Sequence, residues 1–355
     1  MRHLCAQWEG MAMLELKIPG KLYLIGEYNV LKDGHSAILF TLDKYVKVII
    51  EPSANFVLVN EKKVYPLVVS KGLIKVEDDS LIISQSAMQI ALNYLDFLNV
   101  KLIPFRISLT NELVDNDGLK YGLGSSAAIL IAILKSILLF HKVKISNLEL
   151  FKISVLGQHL IGNKTSGGDL AACVFGGLVF YTRYDYEWLM RHLSDGFHLI
   201  AEDWPLLDIE NLPYQKLQIQ VGWTLSPHAT DHVQIKKIGN ELAFIEFANK
   251  ANIIVLKAKE ALYDSNFDLL GSMMSRYQAL LYKLDFDLEL GFNSEKLNTL
   301  IKIANELRGY SKISGAGYGD CGISLCANSE KLIKAWKEAG IMPLKYRIAN
   351  PLEEI

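Results

Sequence analysis

The chain has 355 residues, half of them apolar, enough to bury the core of one large domain or two smaller ones. Its 37 basic residues balance 39 acidic ones, so it carries no electrostatic footprint for nucleic acid or an anionic membrane surface. The longest apolar run, residues 127–140, contains Lys135 and Ser136 and falls short of the roughly twenty residues a bilayer span needs. It predicts a core helix, and the balance as a whole points to a small-molecule partner.

Residues 1–12 (MRHLCAQWEGMA) lack the apolar core and cleavage site of a signal peptide, and are expected to be a disordered or non-native extension. β-Branched and alternating runs then predict strands at 14–18, 22–25, 46–51 and 56–59, a helix at 81–98 and a strand at 102–110. Helices follow at 125–140, 146–161 and 167–174, and a strand at 178–183. Over 185–213 Trp, Pro, Asp and Glu accumulate without period, so the junction is placed there, with one domain over 13–195 and a second over 196–355. Beyond it come a strand at 217–225, helices at 231–262, 267–284 and 294–308, strands at 312–314 and 322–326, a helix at 329–339 and a strand at 342–348. Strands and helices mixed in both halves make the class α+β with two layers per half. Cys5, Cys173, Cys321 and Cys326 show neither C-x-x-C spacing nor a dense framework, which points to thiols in a reducing cytoplasm. His228 and His232 stand four apart, but HATDH lacks the glutamate of H-E-x-x-H, and no metal role is expected of them.

The string GLGSSAA (122–128) runs straight into the predicted core helix. Glycines there remove side chains that would block an anion, the serines add hydroxyl donors, and the positive end of the helix dipole faces the turn. Gly122, Leu123, Gly124, Ser125 and Ser126 are therefore candidate phosphate-binding residues. Lys120 is read either as a further phosphate ligand or as a solvated loop lysine. The string also fits G-x-G-x-x-A, but a polar loop (111–120) precedes it and basic sequence around 141–144 stands where a dinucleotide site needs an acid.

Two more segments, PGKLYLIGEYNVL (19–31) and SGAGYGDCGISL (314–325), complete an ordered set of three. Together they resemble the signature motifs of the GHMP kinases, and the resemblance covers the chain from Leu14 onward. It implies a two-domain fold, with a left-handed β-α-β unit in the N-terminal domain, a ferredoxin-like C-terminal domain and the active site between them. Periodicity could not have indicated that hand, which runs against the usual rule. It also implies ATP as co-substrate with Mg²⁺, GLGSSAA as the triphosphate cradle and the Ser126 hydroxyl as a metal ligand. TSGGDLA (165–171) resembles the family's S-G-x-D-x-A segment, which maps the catalytic aspartate onto Asp169; the alternative is a capping role on the following helix. Lys21 would fix that carboxylate and neutralise charge on the transferring phosphoryl group. One departure is Gln158, which stands where mevalonate kinases place a glutamate on Mg²⁺, and a neutral amide replaces it poorly.

The first motif lacks the arginine, asparagine and H-x-D-Y tail of galactokinases. G-K-L-Y-x-x-G-E-Y, S-G-A-G-x-G-D-C-G-I and V-G-W-T (221–224) look instead like the bacterial branch that phosphorylates (R)-5-phosphomevalonate, on the mevalonate route to isopentenyl diphosphate. The alternatives are mevalonate as acceptor, or a non-catalytic nucleotide- or metabolite-binding regulator. Retention of Lys21, Ser126 and Asp169 together argues against the last. Candidate substrate ligands are Tyr28, Lys164, Ser166, Trp223, Thr224, Ser226, Ser314, Gly315, Ala316 and Gly317. Trp223 reads equally well as a core aromatic, and Arg276 as an alternative source of phosphate charge. A cytoplasmic monomer or homodimer is expected.

Overall fold

The computed structural model describes residues 13–115, 117–225 and 242–352. The 1–12 extension, Ser226, His228 and His232 lie outside the described residues. Strand β1 (Leu14–Ile25) pairs antiparallel with β2 (Ser36–Pro52), from Leu14↔Ile50 to Ile25↔Ile38. The two strands expected at 14–18 and 22–25 are one, because the register shifts between Pro19 and Gly20 and so lets a proline pass without ending the strand. Only the second half of β2 was predicted. Its first seven residues are buried without a break, so they show none of the alternation that marks a half-exposed strand.

Next come β3 (Val57–Asn60), β4 (Lys63–Pro66), β5 (Val68–Ser70), β6 (Leu73–Lys75), α1 (Ile82–Phe97) and β7 (Phe105–Asn111). Strands β3 and β7 pair in parallel, and the connection between them carries α1. Helices α2 (Ser125–Phe140), α3 (Asn147–Leu160) and α4 (Gly168–Phe175) lead to β8 (Leu178–Thr182). Helix α3 starts on a capping box in which Ser146 and Glu149 satisfy each other's backbone N–H. Helix α2 keeps nearly every residue out of water, Lys135 and Ser136 included, as its long apolar run predicts.

The expected boundary between residues 195 and 196 falls within a 3-10 segment, Leu193–Ile200, after α5 (Tyr186–His192). Beyond it β9 (Asp208–Asn211) pairs with β8, giving the larger sheet the order β4-β3-β7-β2-β8-β9 with β1 also on β2. The second sheet comprises β10 (Gln220–Trp223), β11 (Tyr310–Ser314), β12 (Cys321–Leu325) and β13 (Met342–Leu344), all antiparallel in the order β11-β12-β10-β13. Between β10 and β11 run α6 (Leu242–Tyr263), α7 (Phe267–Leu288) and α8 (Glu295–Glu306), and α9 (Ser329–Glu338) joins β12 to β13. This β-α-β-β-α-β succession, with helices inserted in its first crossover, is ferredoxin-like. The chain then returns to the larger sheet, where the Ala349 N–H donates to the Thr41 carbonyl (3.0 Å).

Candidate active site

Lys21 lies on β1 with its ammonium 3.0 Å from Asp169 Oδ1. The lysine side chain is 6% exposed and the aspartate 42%, so the pair opens to solvent on the carboxylate side. Asp169 is in the first turn of α4, whose N-cap is Gly167 at φ 86° with no side-chain cap hydrogen bond. The aspartate is therefore not the cap, and its ion pair runs to another element. Tyr23, two residues along β1 and so on the same face as Lys21, places its ring 4.9 Å from the ammonium. Burial, followed by the adjacent Asp169 carboxylate, pushes the Tyr23 phenol well above its usual range. Sequence reasoning missed Tyr23, although the i, i+2 spacing from Lys21 was the available signal.

The central motif lies directly against this pair. The Lys21 N–H donates to the Leu123 carbonyl (2.9 Å), and Gly124 is the N-cap of α2 at φ 73°. A Cβ on Gly124 would stand 2.5 Å from Lys21 Cε, so glycine is required there by conformation and by the lysine stem together. A Cβ on Gly122 would meet the Asp320 side chain at 2.7 Å, which sets the central motif against the third one. Ser125 is buried, whereas Ser126 and Lys120 are exposed. The helix terminus thus presents backbone N–H groups, a serine hydroxyl and the nearby Lys21 ammonium, an arrangement suited to phosphate.

The third motif closes the opposite side. Ser314 is buried and donates to the Tyr23 carbonyl (2.8 Å). Gly315 has a φ of 84° and open space where a Cβ would stand, while at Gly317 a Cβ would meet the Phe292 carbonyl at 2.7 Å. Tyr28 adopts an unusual φ of 62°, held by stacking on Phe292 (4.9 Å between centroids) and by a hydrogen bond from its hydroxyl to the Ala316 carbonyl (2.6 Å). Its hydroxyl is thus engaged in shaping the loop. Lys164 is exposed and Ser166 half-buried just before α4. Trp223 and Thr224 are fully buried behind the loop: the indole meets Tyr121 edge-on (4.7 Å), and the threonine hydroxyl donates to the Gly319 carbonyl. Arg276 lines an outer groove between α6 and α7 with Lys250 and Lys257. Gln158 lies on α3.

A second ion pair, unforeseen in sequence, lies behind these loops. Glu27 and Lys312 join with side chains 2% and 0% exposed. Burial pushes the Glu27 carboxyl up, against the pull of Lys312 and the nearby backbone of Gly315. Burial likewise pushes the Lys312 ammonium down, against the pull of Glu27. The signal was a lone charge inside each of two otherwise uncharged strings, GEYNVL and YSKISG.

Two domains, a phosphate-suited helix terminus and a lysine–aspartate pair between three glycine-bearing motifs define a small-molecule kinase architecture. Residues 85–177 match the N-terminal domain of GHMP kinases and residues 258–341 the C-terminal domain. The chain belongs to the GHMP kinase family. It is 29% identical over 357 residues to the phosphomevalonate kinase of Streptomyces sp. strain CL190, covering 92% of this chain and 94% of that one. Among solved structures it resembles the Lin0012 protein of Listeria innocua (31% identity, TM-score 0.89, 96% and 99% of the two chains covered). It also resembles the phosphomevalonate kinase of Streptococcus pneumoniae (26% identity, TM-score 0.80, 94% and 99% covered).

Proposed function

We propose that the chain transfers the γ-phosphoryl group of ATP to the phosphate of (R)-5-phosphomevalonate, giving ADP and (R)-5-diphosphomevalonate. The observation that carries the reading is the Lys21–Asp169 pair at 3.0 Å, set beside the N-terminus of α2. Full-length similarity to a phosphomevalonate kinase supports the choice of acceptor.

The N–H groups of the first turn of α2, with Ser125 and Ser126, hold the nucleotide phosphates, and the loop at 314–317 faces the acceptor. An acceptor oxygen attacks the γ-phosphorus as the bond to the ADP oxygen breaks. A phosphate monoester has a second pKa of about 6 and is largely dianionic at neutral pH, so its attack requires no base. Asp169 accordingly holds Lys21, whose ammonium neutralises charge building on the phosphoryl oxygens. Among the described residues no group of three His, Cys, Asp or Glu side chains could cage a metal ion. The exposed Ser126 hydroxyl is a hard oxygen donor of the kind that would hold Mg²⁺, and such an ion would supply charge neutralisation at the phosphates. Among the described residues no helix is long and apolar enough to cross a membrane. The buried free thiols Cys173, Cys321 and Cys326 fit a cytoplasmic setting.

The test is ADP release from Mg·ATP with phosphomevalonate or mevalonate as acceptor. Groups arranged for a charged phosphate are left unpaired by an acceptor that lacks it, so kcat/KM should favour phosphomevalonate by about a hundredfold or more. Equal or reversed preference overturns the choice of acceptor.

A further inference from the structure

Along β11 the chain reads YSKIS, and its alternation places Lys312 and Ser314 on one face. Both point at the first motif. Lys312 pairs with Glu27 and donates to the Ile313 carbonyl, and Ser314 donates to the Tyr23 carbonyl (2.8 Å). Beyond the strand the Ala316 carbonyl receives the Tyr28 hydroxyl (2.6 Å). Helix α7 locks the same seam from behind: the Tyr277 hydroxyl donates to the Glu27 carbonyl (2.6 Å), and the Gln278 side-chain oxygen accepts the Ile313 N–H (2.9 Å). The first and third motifs, nearly three hundred residues apart, are stitched by polar bonds at 23, 27 and 28 on one side and 312, 314 and 316 on the other.

We propose that Glu27 and Lys312 form a positioning pair that fixes the 314–317 loop relative to Lys21, and so sets acceptor affinity without either residue touching a ligand. Lys312 stands two residues before the loop, where a lysine would ordinarily suggest a phosphate ligand. Its ammonium is instead wholly buried and engaged by Glu27 and the Ile313 carbonyl. The pair's influence passes through backbone: Ser314 lies two residues beyond Lys312 on the same face of β11, and the backbone of Gly315 lies beside the Glu27 carboxylate. The nucleotide side has supports of its own outside the seam, with Gly124 against the Lys21 stem, Gly122 against Asp320, and the first turn of α2. Disturbing the seam therefore acts on one substrate more than on the other. The identity of that substrate rests on the acceptor proposed above.

Glu27→Gln, Lys312→Met and the double variant would be compared in melting temperature, in KM and kcat with phosphomevalonate, and in nucleotide affinity by calorimetry. Each single change strands a buried charge and lowers the melting temperature, whereas the double change removes both charges and restores most of it. Small misplacements of a binding group are costly, so the refolded double variant should retain an acceptor KM raised about tenfold, with nucleotide affinity within about twofold of wild type. Hydrogen exchange at the 315–319 amides, which requires no acceptor, should quicken in the double variant. Unchanged exchange together with a wild-type KM would make the pair merely structural and overturn the proposal, as would an equal loss of nucleotide affinity. Failure of the wild-type protein to turn over phosphomevalonate overturns the acceptor assignment instead, and the exchange measurement then decides the role of the pair.

Discussion

Lys21 and Asp169 meet with the carboxylate 42% exposed, whereas Glu27 and Lys312, the first of them only six residues beyond Lys21, lie almost wholly out of water. Both pairs join a lysine to a carboxylate and both bridge distant segments of chain. Their surroundings assign them different work. An open pair can exchange solvent for a ligand phosphate and keep the lysine available to charge that develops during transfer. A closed pair has no solvent to exchange with, and its two charges answer each other and the backbone around them. Exposure, more than residue type, separates the pair proposed to do chemistry from the pair proposed to hold geometry.

The most direct way to break this contrast is to remove the open lysine. Lys21→Met should lower turnover by about a thousandfold, the scale on which a preorganised charge acts in a water-poor site. Its stability cost should stay within about 1 kcal/mol, since the abandoned carboxylate is partly hydrated. Asp169→Asn should be no more severe, and its rate should keep the wild-type dependence on acceptor ionisation near pH 6. Turnover of both variants from about pH 5.5 to 8.5, with melting curves beside them, checks this. A mild Lys21→Met alongside an inactive Asp169→Asn would make the aspartate a general base.

A smaller effect comes from moving the open pair without changing its chemistry. Gly124→Val places side-chain atoms where the Lys21 stem runs, at a φ of 73° that valine resists. It should weaken nucleotide binding by about a hundredfold, as expected when positioning groups shift by an ångström. Normal ATP affinity by calorimetry would mean that this turn is not the triphosphate site.

How far the sequence reveals these differences depends on the range of the forces involved. Helix α2 was readable to the residue because thirteen of its sixteen positions are buried, which leaves little choice of structure. Lys21 and Asp169 were readable as a pair because the motifs that carry them resemble those of a known family. The first half of β2 was not, since burial on both faces erases alternation. Strands β4 to β6 are three or four residues long and largely exposed, so neither length nor pattern marks them. Trp223 and Thr224, read as acceptor ligands, are enclosed behind the third motif because β10 runs between β12 and β13, a matter of sheet order that no local pattern encodes. Glu27 and Lys312 were invisible as a pair for the same reason. Their meeting across 285 residues is a product of domain docking.

The smallest effect is on the acid sensitivity of the fold, away from both pairs. His159 on α3 is buried, with Nε2 3.0 Å from the Tyr184 hydroxyl. Burial, then the charges of Arg183 and Lys164, lower its imidazole to about 4. Because the folded pKa lies below the unfolded value near 6.5, the unfolded chain binds the extra proton first. The stability that His159 contributes is therefore complete above pH 6.5 and is lost as pH falls toward 4. Between pH 7 and pH 5 this amounts to about 2 kcal/mol, from roughly 1.5 pH units of one-proton difference at about 1.4 kcal/mol each. His159→Gln keeps a polar group opposite Tyr184 but cannot titrate, so its denaturant-unfolding free energy should fall by about 2 kcal/mol less than that of the wild type over the same interval. If the variant retains the full acid loss, His159 is not the group that takes up the proton on unfolding.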